Sequence, residues 1–463
     1  RRVLFRSLFA GGFIWVYCDE APKRSDKGGI LDSDKSNAPD GVVGPRREKE
    51  GSYYAIRAQW SPIQLKPLLI TNHFDGSFLL TNEYTFTNLK DCRMSYKVLT
   101  CGTPLQGNTE TGKVIAEGGV QLPSINPGET GTARFELPDS FREGDILELE
   151  AFDKEGKSIC NWTYPIHLVK RYFERKLTQA APTPAPPKAE ARQTADAIEL
   201  KSSKVCVTFD AATGMIRHIT SGETEVPFKD GPVAVGMKMR YEPSLSYTRH
   251  SSDGAIYCAK YKGAADSIVW RLTNEGLLYM DAILLNRGSG GSGFDDAFMD
   301  SQIFNLGLTF SYPEQNCSGM KWMGRGPYRV WKNRIAGTNY GIWHKDYNNT
   351  ITGESFENLI YPEFKGYHAN LYWATLEGEK TSFTVYSRND GIFFRVFTPE
   401  EPAGRVKDTM PAFPEGDLSF LLDIPAICSF KPIEQQGPNS QPGNIRIKSG
   451  DEGLHLNLMF DFR

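Results

Sequence analysis

Trp15, Tyr17 and Asp19 stand at alternate positions in the stretch Phe13-Ile14-Trp15-Val16-Tyr17-Cys18-Asp19. Alternate residues of an extended strand share a face, which would set two aromatic rings beside a carboxylate. A ring face offers an apolar surface to stack on, and a carboxylate accepts hydrogen bonds. The same residues also suit structural work, Trp15 in a core beneath a loop and Asp19 as a turn-capping acid. A second grouping is Tyr361-Pro362-Glu363-Phe364-Lys365-Gly366, followed by Tyr367, His368 and Trp373. Aromatics with a His near a sheet rim can hold a ring-shaped ligand, or can form a packed aromatic cluster. Gly288-Ser289-Gly290-Gly291-Ser292-Gly293 satisfies G-x-G-x-x-G literally. No helix follows it within a βαβ unit, so it reads as a hairpin loop and not a nucleotide site.

Other chemistries are bounded by composition. The 8 Cys are scattered with no Cys-x-x-Cys pair, which argues against zinc and for free buried thiols. A net charge of -3 gives no broad basic surface, so a nucleic-acid partner is not expected. No run of about 18 apolar residues is present to span a membrane. With 56 acidic residues, a pair suited to general acid–base work cannot be picked out from sequence.

The elements that must position these groups are mainly strands. Residues 8–18 read as a buried strand, 19–50 as a long polar loop, and Ser52 to Trp60 as a short helix stopped by Ser61-Pro62. A lone β/α unit cannot bury its own faces. Residues 63–175 change to a period of two, in Thr85-Phe86-Thr87-Asn88, Tyr96-Lys97-Val98-Leu99 and Leu147 to Phe152, with turn signals between, and predict a β-sandwich. The Pro/Ala-rich residues 176–194 read as an extended linker. Residues 195–463 predict one large sandwich. Residues 1–7 do not resemble the strand they precede and are expected to be non-native.

Two motifs carry a resemblance. Trp322-Met323-Gly324-Arg325-Gly326-Pro327-Tyr328-Arg329-Val330-Trp331-Lys332-Asn333-Arg334 resembles W-x-G-x-G-P-x-E-x-Y-x-D-R, a signature of the last domain of the β-galactosidase-like enzymes of glycoside hydrolase family 2. The family's Glu, Tyr and Asp are Arg329, Trp331 and Asn333 here. Gly11-Gly12-Phe13-Ile14-Trp15-Val16-Tyr17-Cys18-Asp19-Glu20 resembles the family's last barrel strand, G-G-F-[IV]-W-D-W-x-D-Q. Asp40-Gly41-Val42-Val43-Gly44-Pro45-Arg46-Arg47 resembles N-G-[LI]-V-x-x-D-R. The resemblance implies four segments: residues 1–62 as the end of a (β/α)8 catalytic barrel, 63–175 as an immunoglobulin-like sandwich, 176–194 as the linker, and 195–463 as a supersandwich related to galactose mutarotases.

It also implies a retaining exo-acting β-glycosidase, most simply a β-galactosidase, whose two catalytic Glu precede this chain. Trp15, Tyr17 and Asp19 would then face the sugar, and Asp40 would stand where the family's Asn helps hold a sodium ion, with sodium or magnesium as the expected ion. Leu418, in Phe413-Pro414-Glu415-Gly416-Asp417-Leu418, is the closest match to a family Trp that reaches over the substrate, and His368 joins the aromatic group as a sugar contact. Expected partners are an oligosaccharide substrate and, left open, a second copy of the chain. Periplasmic or secreted placement is favoured over cytoplasmic. The alternatives are a non-catalytic carbohydrate-binding sandwich, or a mutarotase-like isomerase needing a His and a carboxylate in one groove, for which His250, His368 and Glu363 are the candidates.

Overall fold

The structure, a computed structural model, describes residues 14, 16–31, 41–110, 112–176, 185–236, 239–263, 265–284, 305–350, 359–399, 413–427 and 453–463. Those residues are mainly β, with two α-helices, α1 (Gly51–Gln59) and α2 (Val169–Lys176).

The first sandwich packs a three-stranded sheet, Ile63–Leu65, Ser77–Asn82 and Thr130–Arg134, on a four-stranded sheet, Lys113–Val120, Arg93–Thr100, Ile146–Phe152 and Ser158–Pro165. Leu147, Leu149 and Ala151 alternate inward from Ile146–Phe152 and meet Phe78, Leu80 and Phe135 in one core. Thr85-Phe86-Thr87-Asn88, expected to be extended, is instead a turn with Phe86 93% exposed. The Asn82 side-chain amide donates to the Thr87 carbonyl, and the Asn88 side chain accepts from the Lys90 amide, so local polar bonds win over the alternating pattern.

The second sandwich is built on a nine-stranded antiparallel sheet. Its order is Met239–Ser251, Gly254–Gly263, Ala265–Thr273, Leu277–Leu284, Leu454–Asp461, Phe383–Ser387, Trp373–Gly378, Cys317–Gly326 and Asn339–Asp346. Two five-stranded sheets belong to the same unit. One is the meander from Glu190–Gln193 to Thr224–Val226; the other contains Lys229–Val235, Leu306–Ser311, Leu418–Asp423, Phe393–Val396 and Gly366–His368. Phe209, Phe228, Trp270, Phe310, Phe420 and Phe460 unite all three sheets in one core. Glu190–Gln193 pairs with Ala197–Lys201, and Ala189 is already buried in that core. The sandwich therefore starts inside the segment assigned to the linker. Proline content marked the boundary, but backbone pairing moves it forward in the chain.

A third core fastens the sandwiches together. Cys101, Ile146, Val169, Tyr172 and Phe173 from the first pack on Met323, Ile342, Tyr372, Trp373 and Tyr386 from the second. The Val169 amide donates to Asp390 Oδ1 at 2.8 Å, and the Tyr372 hydroxyl to the His167 carbonyl at 2.7 Å. One buried carboxylate holds α2 in place. Asp145 accepts from Arg175 Nη1 at 2.9 Å, from Lys176 Nζ at 2.9 Å and from the Cys101 amide at 2.7 Å. Removing it strands two cations at a largely buried joint. Asp145→Ala is expected to cost about 3 kcal/mol, read as a lowered denaturation midpoint in urea. A loss below about 1 kcal/mol, the range of an exposed pair, would show that α2 docks without it.

Candidate functional site

The N-terminal segment reaches the second sandwich through α1 and the residues before it. Cys18 bridges Val43 in parallel, the Val43 amide donates to the Tyr17 carbonyl, and the Asp19 amide donates to the Val43 carbonyl. Val42 and Val43 are buried beneath this pairing. Gly41 has to be glycine: a Cβ there would lie 2.4 Å from the Asp19 backbone nitrogen. Its amide donates to Asp19 Oδ1 at 2.7 Å. Gly41-Val42-Val43 thus folds back to fix the Asp19 carboxylate.

On the sandwich side, the Trp322–Arg334 motif splits into two jobs. Its first half is packing. Trp322 is fully buried, a Cβ on Gly324 would meet the Ala369 and Asn370 carbonyls at 3.0 Å, and a Cβ on Gly326 would lie 2.6 Å from the Trp343 ring. Its second half grips the N-terminal segment. The Tyr328 hydroxyl donates to the Lys49 carbonyl at 3.3 Å, the Tyr328 ring lies 5.2 Å from Tyr54, and Arg334 donates to the Ser52 hydroxyl. Gly337, at φ 88, lies against the Tyr54 backbone, where a Cβ would approach to 2.4 Å.

A buried polar cluster lies at this junction. Arg329 Nη2 pairs with Glu363 Oε1 at 3.1 Å, and Lys345 Nζ donates to the Glu363 carbonyl at 2.8 Å. Asp19, Glu50 and Glu363 are 4%, 9% and 7% exposed, so three carboxyls are withdrawn from water together. Burial, reinforced by the neighbouring Asp19 charge, pushes Glu50 up to about 8 from an ordinary 4.5, while the Tyr361 hydroxyl beside it works the other way. Glu50 is therefore protonated near neutrality and can donate to Asp19. Lys345 is pushed down to about 7 by burial, with Glu363 opposing that shift. Burial and the Lys345 charge hold His368 well below its ordinary range.

The expected site residues separate in the structure. Tyr17 and Asp19 do not share a face, because the chain turns out of its single bridge at Cys18 and no continuous strand carries the alternation. Tyr17 is 58% exposed and points outward, whereas Asp19 is turned inward. His368 is corrected from a sugar contact to a core residue. It lies beneath the sheet at 1% exposure, with its ring 4.8 Å from Trp322. Leu418 is corrected likewise, since its strand Leu418–Asp423 turns it fully into the core. Trp15 and Asp40 lie outside the described residues, as do Gly288 to Gly293. The isomerase pair does not form: Glu363 is held by Arg329, His368 is sealed in, and His250 is exposed on the edge strand Met239–Ser251. No group of three metal-ligating side chains occurs among the described residues.

The sequence reading missed Glu50 and Arg47. Glu50 precedes α1 and looks like an acid favoured at a helix start, with nothing local to signal burial. Arg47 was visible only as the closing Arg of a motif. In space its guanidinium lies 5.3 Å from the centre of the Tyr17 ring.

Residues 78–162 match the family model for β-galactosidase domain 4, and residues 236–396 that for the β-galactosidase small chain. The chain is β-galactosidase-like, of glycoside hydrolase family 2. The first match falls on the immunoglobulin-like sandwich. The second runs through the nine-stranded sheet and the Trp322–Arg334 motif. Among solved structures, this β-galactosidase-like chain is similar to HI1317, at 9% identity over 59% of this chain and 96% of that one, with a TM-score of 0.26. It is similar to YeaD of Salmonella typhimurium, a candidate mutarotase, at 11% identity over 62% and 98%, with a TM-score of 0.27. It is also similar to the uncharacterized protein lmo2446 of Listeria monocytogenes, at 12% identity over 86% and 30%, with a TM-score of 0.20. No curated protein matches it.

The raised Glu50 carboxyl sets a pH dependence for the junction. A carboxyl with a folded-state value above its unfolded one favours the fold while protonated. That contribution is complete below about 4.5 and is lost as pH rises toward about 8. Glu50→Gln keeps the neutral shape and removes the titration. Its melting temperature should fall less than that of the parent between pH 5 and 8. Parallel melting curves across that range would show instead that the Glu50 charge is tolerated in the fold.

Proposed function

We propose that this chain forms the carboxy-terminal part of a retaining, exo-acting β-galactosidase that hydrolyses terminal β-galactosyl residues of an oligosaccharide. The observation that carries the reading is the order of the two β-galactosidase domains together with the bonds that clamp Lys49 and Ser52 onto the second of them. Retention needs two carboxyl groups about 5–5.5 Å apart, with the sugar between them. The carboxyls brought together here, Asp19, Glu50 and Glu363, are buried and turned on one another or on Arg329. They suit bracing and not attack on a sugar. The acid and the nucleophile are therefore assigned to residues upstream of this chain, and the described residues to completing and supporting the sugar pocket.

In this reading the exposed Tyr17 ring meets the sugar, and Trp15 is assigned as a second sugar contact. Asp40 would contribute one oxygen to a sodium or magnesium ion whose other ligands lie elsewhere. A hard oxygen donor suits either ion. Periplasmic or secreted placement fits an extracellular oligosaccharide, and a homo-oligomer is compatible with the large second sandwich.

The test is turnover of nitrophenyl β-galactoside by the purified chain, alone and then joined to its upstream sequence. The expected result is no hydrolysis alone and galactoside cleavage in the joined protein, abolished by replacing either upstream Glu. Robust turnover by the chain alone would overturn the assignment of the catalytic carboxyls.

A further inference from the structure

Arg47 lies at the rim of the candidate site with its guanidinium over the Tyr17 ring. Its backbone adopts φ 72, a left-handed conformation that side chains other than glycine rarely take. A tight turn holds it there, with the Arg47 amide donating to the Gly44 carbonyl at 2.9 Å and the Gly44 amide to the Glu48 carbonyl at 2.9 Å. Gly44 itself is buried, and its carbonyl takes the Cys18 thiol at 3.1 Å. The turn is thus locked to the neighbour of Tyr17, and its outcome is a guanidinium 5.3 Å from the Tyr17 ring centre. Both side chains face solvent. Among the described residues no carboxylate lies within ion-pair distance of Arg47. Its neighbours differ: Arg24 pairs with Asp26, and Arg329 with Glu363.

We propose that Tyr17 and Arg47 together bind a sugar bearing an anionic substituent, a carboxylate or a sulfate ester, so that the site selects acidic glycosides. This rests on the reading of Tyr17 as a sugar contact. The ring supplies an apolar stacking face, and the guanidinium supplies paired donors matched to an oxyanion. Two of the nearby carboxyls do not oppose it. Asp19 is turned inward onto the Gly41 amide, and Glu50 is buried and neutral below about pH 8. One departure from the family motif points the same way: Val16 stands where the family has an acid next to Tyr17.

The experiment is calorimetric titration of the chain joined to its upstream sequence, with one upstream catalytic Glu replaced by Gln to prevent turnover, using three probes at low salt: methyl β-galactoside, methyl β-galacturonide and galactose 6-sulfate. A charge-assisted contact predicts that at least one acidic probe binds roughly tenfold more tightly than the neutral one, with the gap shrinking as salt rises. Arg47→Gly suits the turn's positive φ and deletes only the side chain, so folding is kept while the preference disappears; Arg47→Lys should retain part of it. A preference for the galacturonide identifies a carboxylate-bearing sugar, and a preference for the sulfate a sulfated one. Equal binding of all three probes, or a preference surviving in Arg47→Gly, overturns the proposal and leaves the sugar site standing. Absence of binding by every probe overturns both.

Discussion

Glu363 is where three parts of the second sandwich and its junction are held to one another. Its carboxylate takes Arg329 from the end of the motif, and its carbonyl takes the buried Lys345 from the last strand of the nine-stranded sheet. Both cations are costly to withdraw from water unless paired. The cost is met by placing each against an oxygen that the fold fixes for other reasons. Without the Glu363 carboxylate, Arg329 and Lys345 would repel one another beside His368, which burial first and the Lys345 charge second already hold neutral. Glu363 thus ties the motif's second half, through its carboxylate, to the end of the nine-stranded sheet, through its carbonyl.

The motif shows how sterics and polarity divide such a task. Gly324 and Gly326 are there because carbonyls and an indole occupy the space a Cβ would need. That close approach lets Arg325 donate from its amide to the Ala369 carbonyl, lay its guanidinium over Tyr340 at 4.6 Å and reach the Thr338 carbonyl. From there the chain turns, Val330 pairs with Tyr367, and Trp331 packs against Tyr367 and Phe413. Asn333 closes the turn with a reciprocal pair of bonds to the Ile427 backbone. Only then do Tyr328 and Arg334 stand where α1 begins. The signature of the last domain is largely a device for holding a helix start against a sheet.

What the sequence disclosed follows from the range of the forces involved. Leu147, Leu149 and Ala151 were legible because a sheet with one dry face imposes period two on neighbours. The α1 boundary was legible because Ser61-Pro62 stops a helix locally. Phe86 was misread because the alternation was real but the Asn82 and Asn88 side chains offered the backbone a better local bargain. His368 and Leu418 were misread for a different reason. Each lies on a strand whose faces are decided by partners far away in sequence, Phe394 and Val396, which pair opposite them. Long-range pairing sets which face is dry, and a single strand carries no trace of it. Glu50 and Arg47 fall in the same class: their roles appear only when the residue 16–20 segment is laid beside them.

The split between Tyr17 and Asp19 is informative about how such a rim is built. Two residues apart, one side chain faces water and the other is 4% exposed. Had the strand continued, alternation would have put both on one side, and a charged carboxylate would have stood beside any ring stacked on Tyr17. The turn after Cys18 prevents this. It sends the acid inward, where Gly41 supplies a donor and the neutral Glu50 a proton, and leaves the aromatic outside with Arg47. The Asp19 charge is confined to the bracing layer, and Tyr17 and Arg47 face outward above it. That layer can hold the Asp19 charge because burial, reinforced by the charge itself, keeps Glu50 protonated near neutrality.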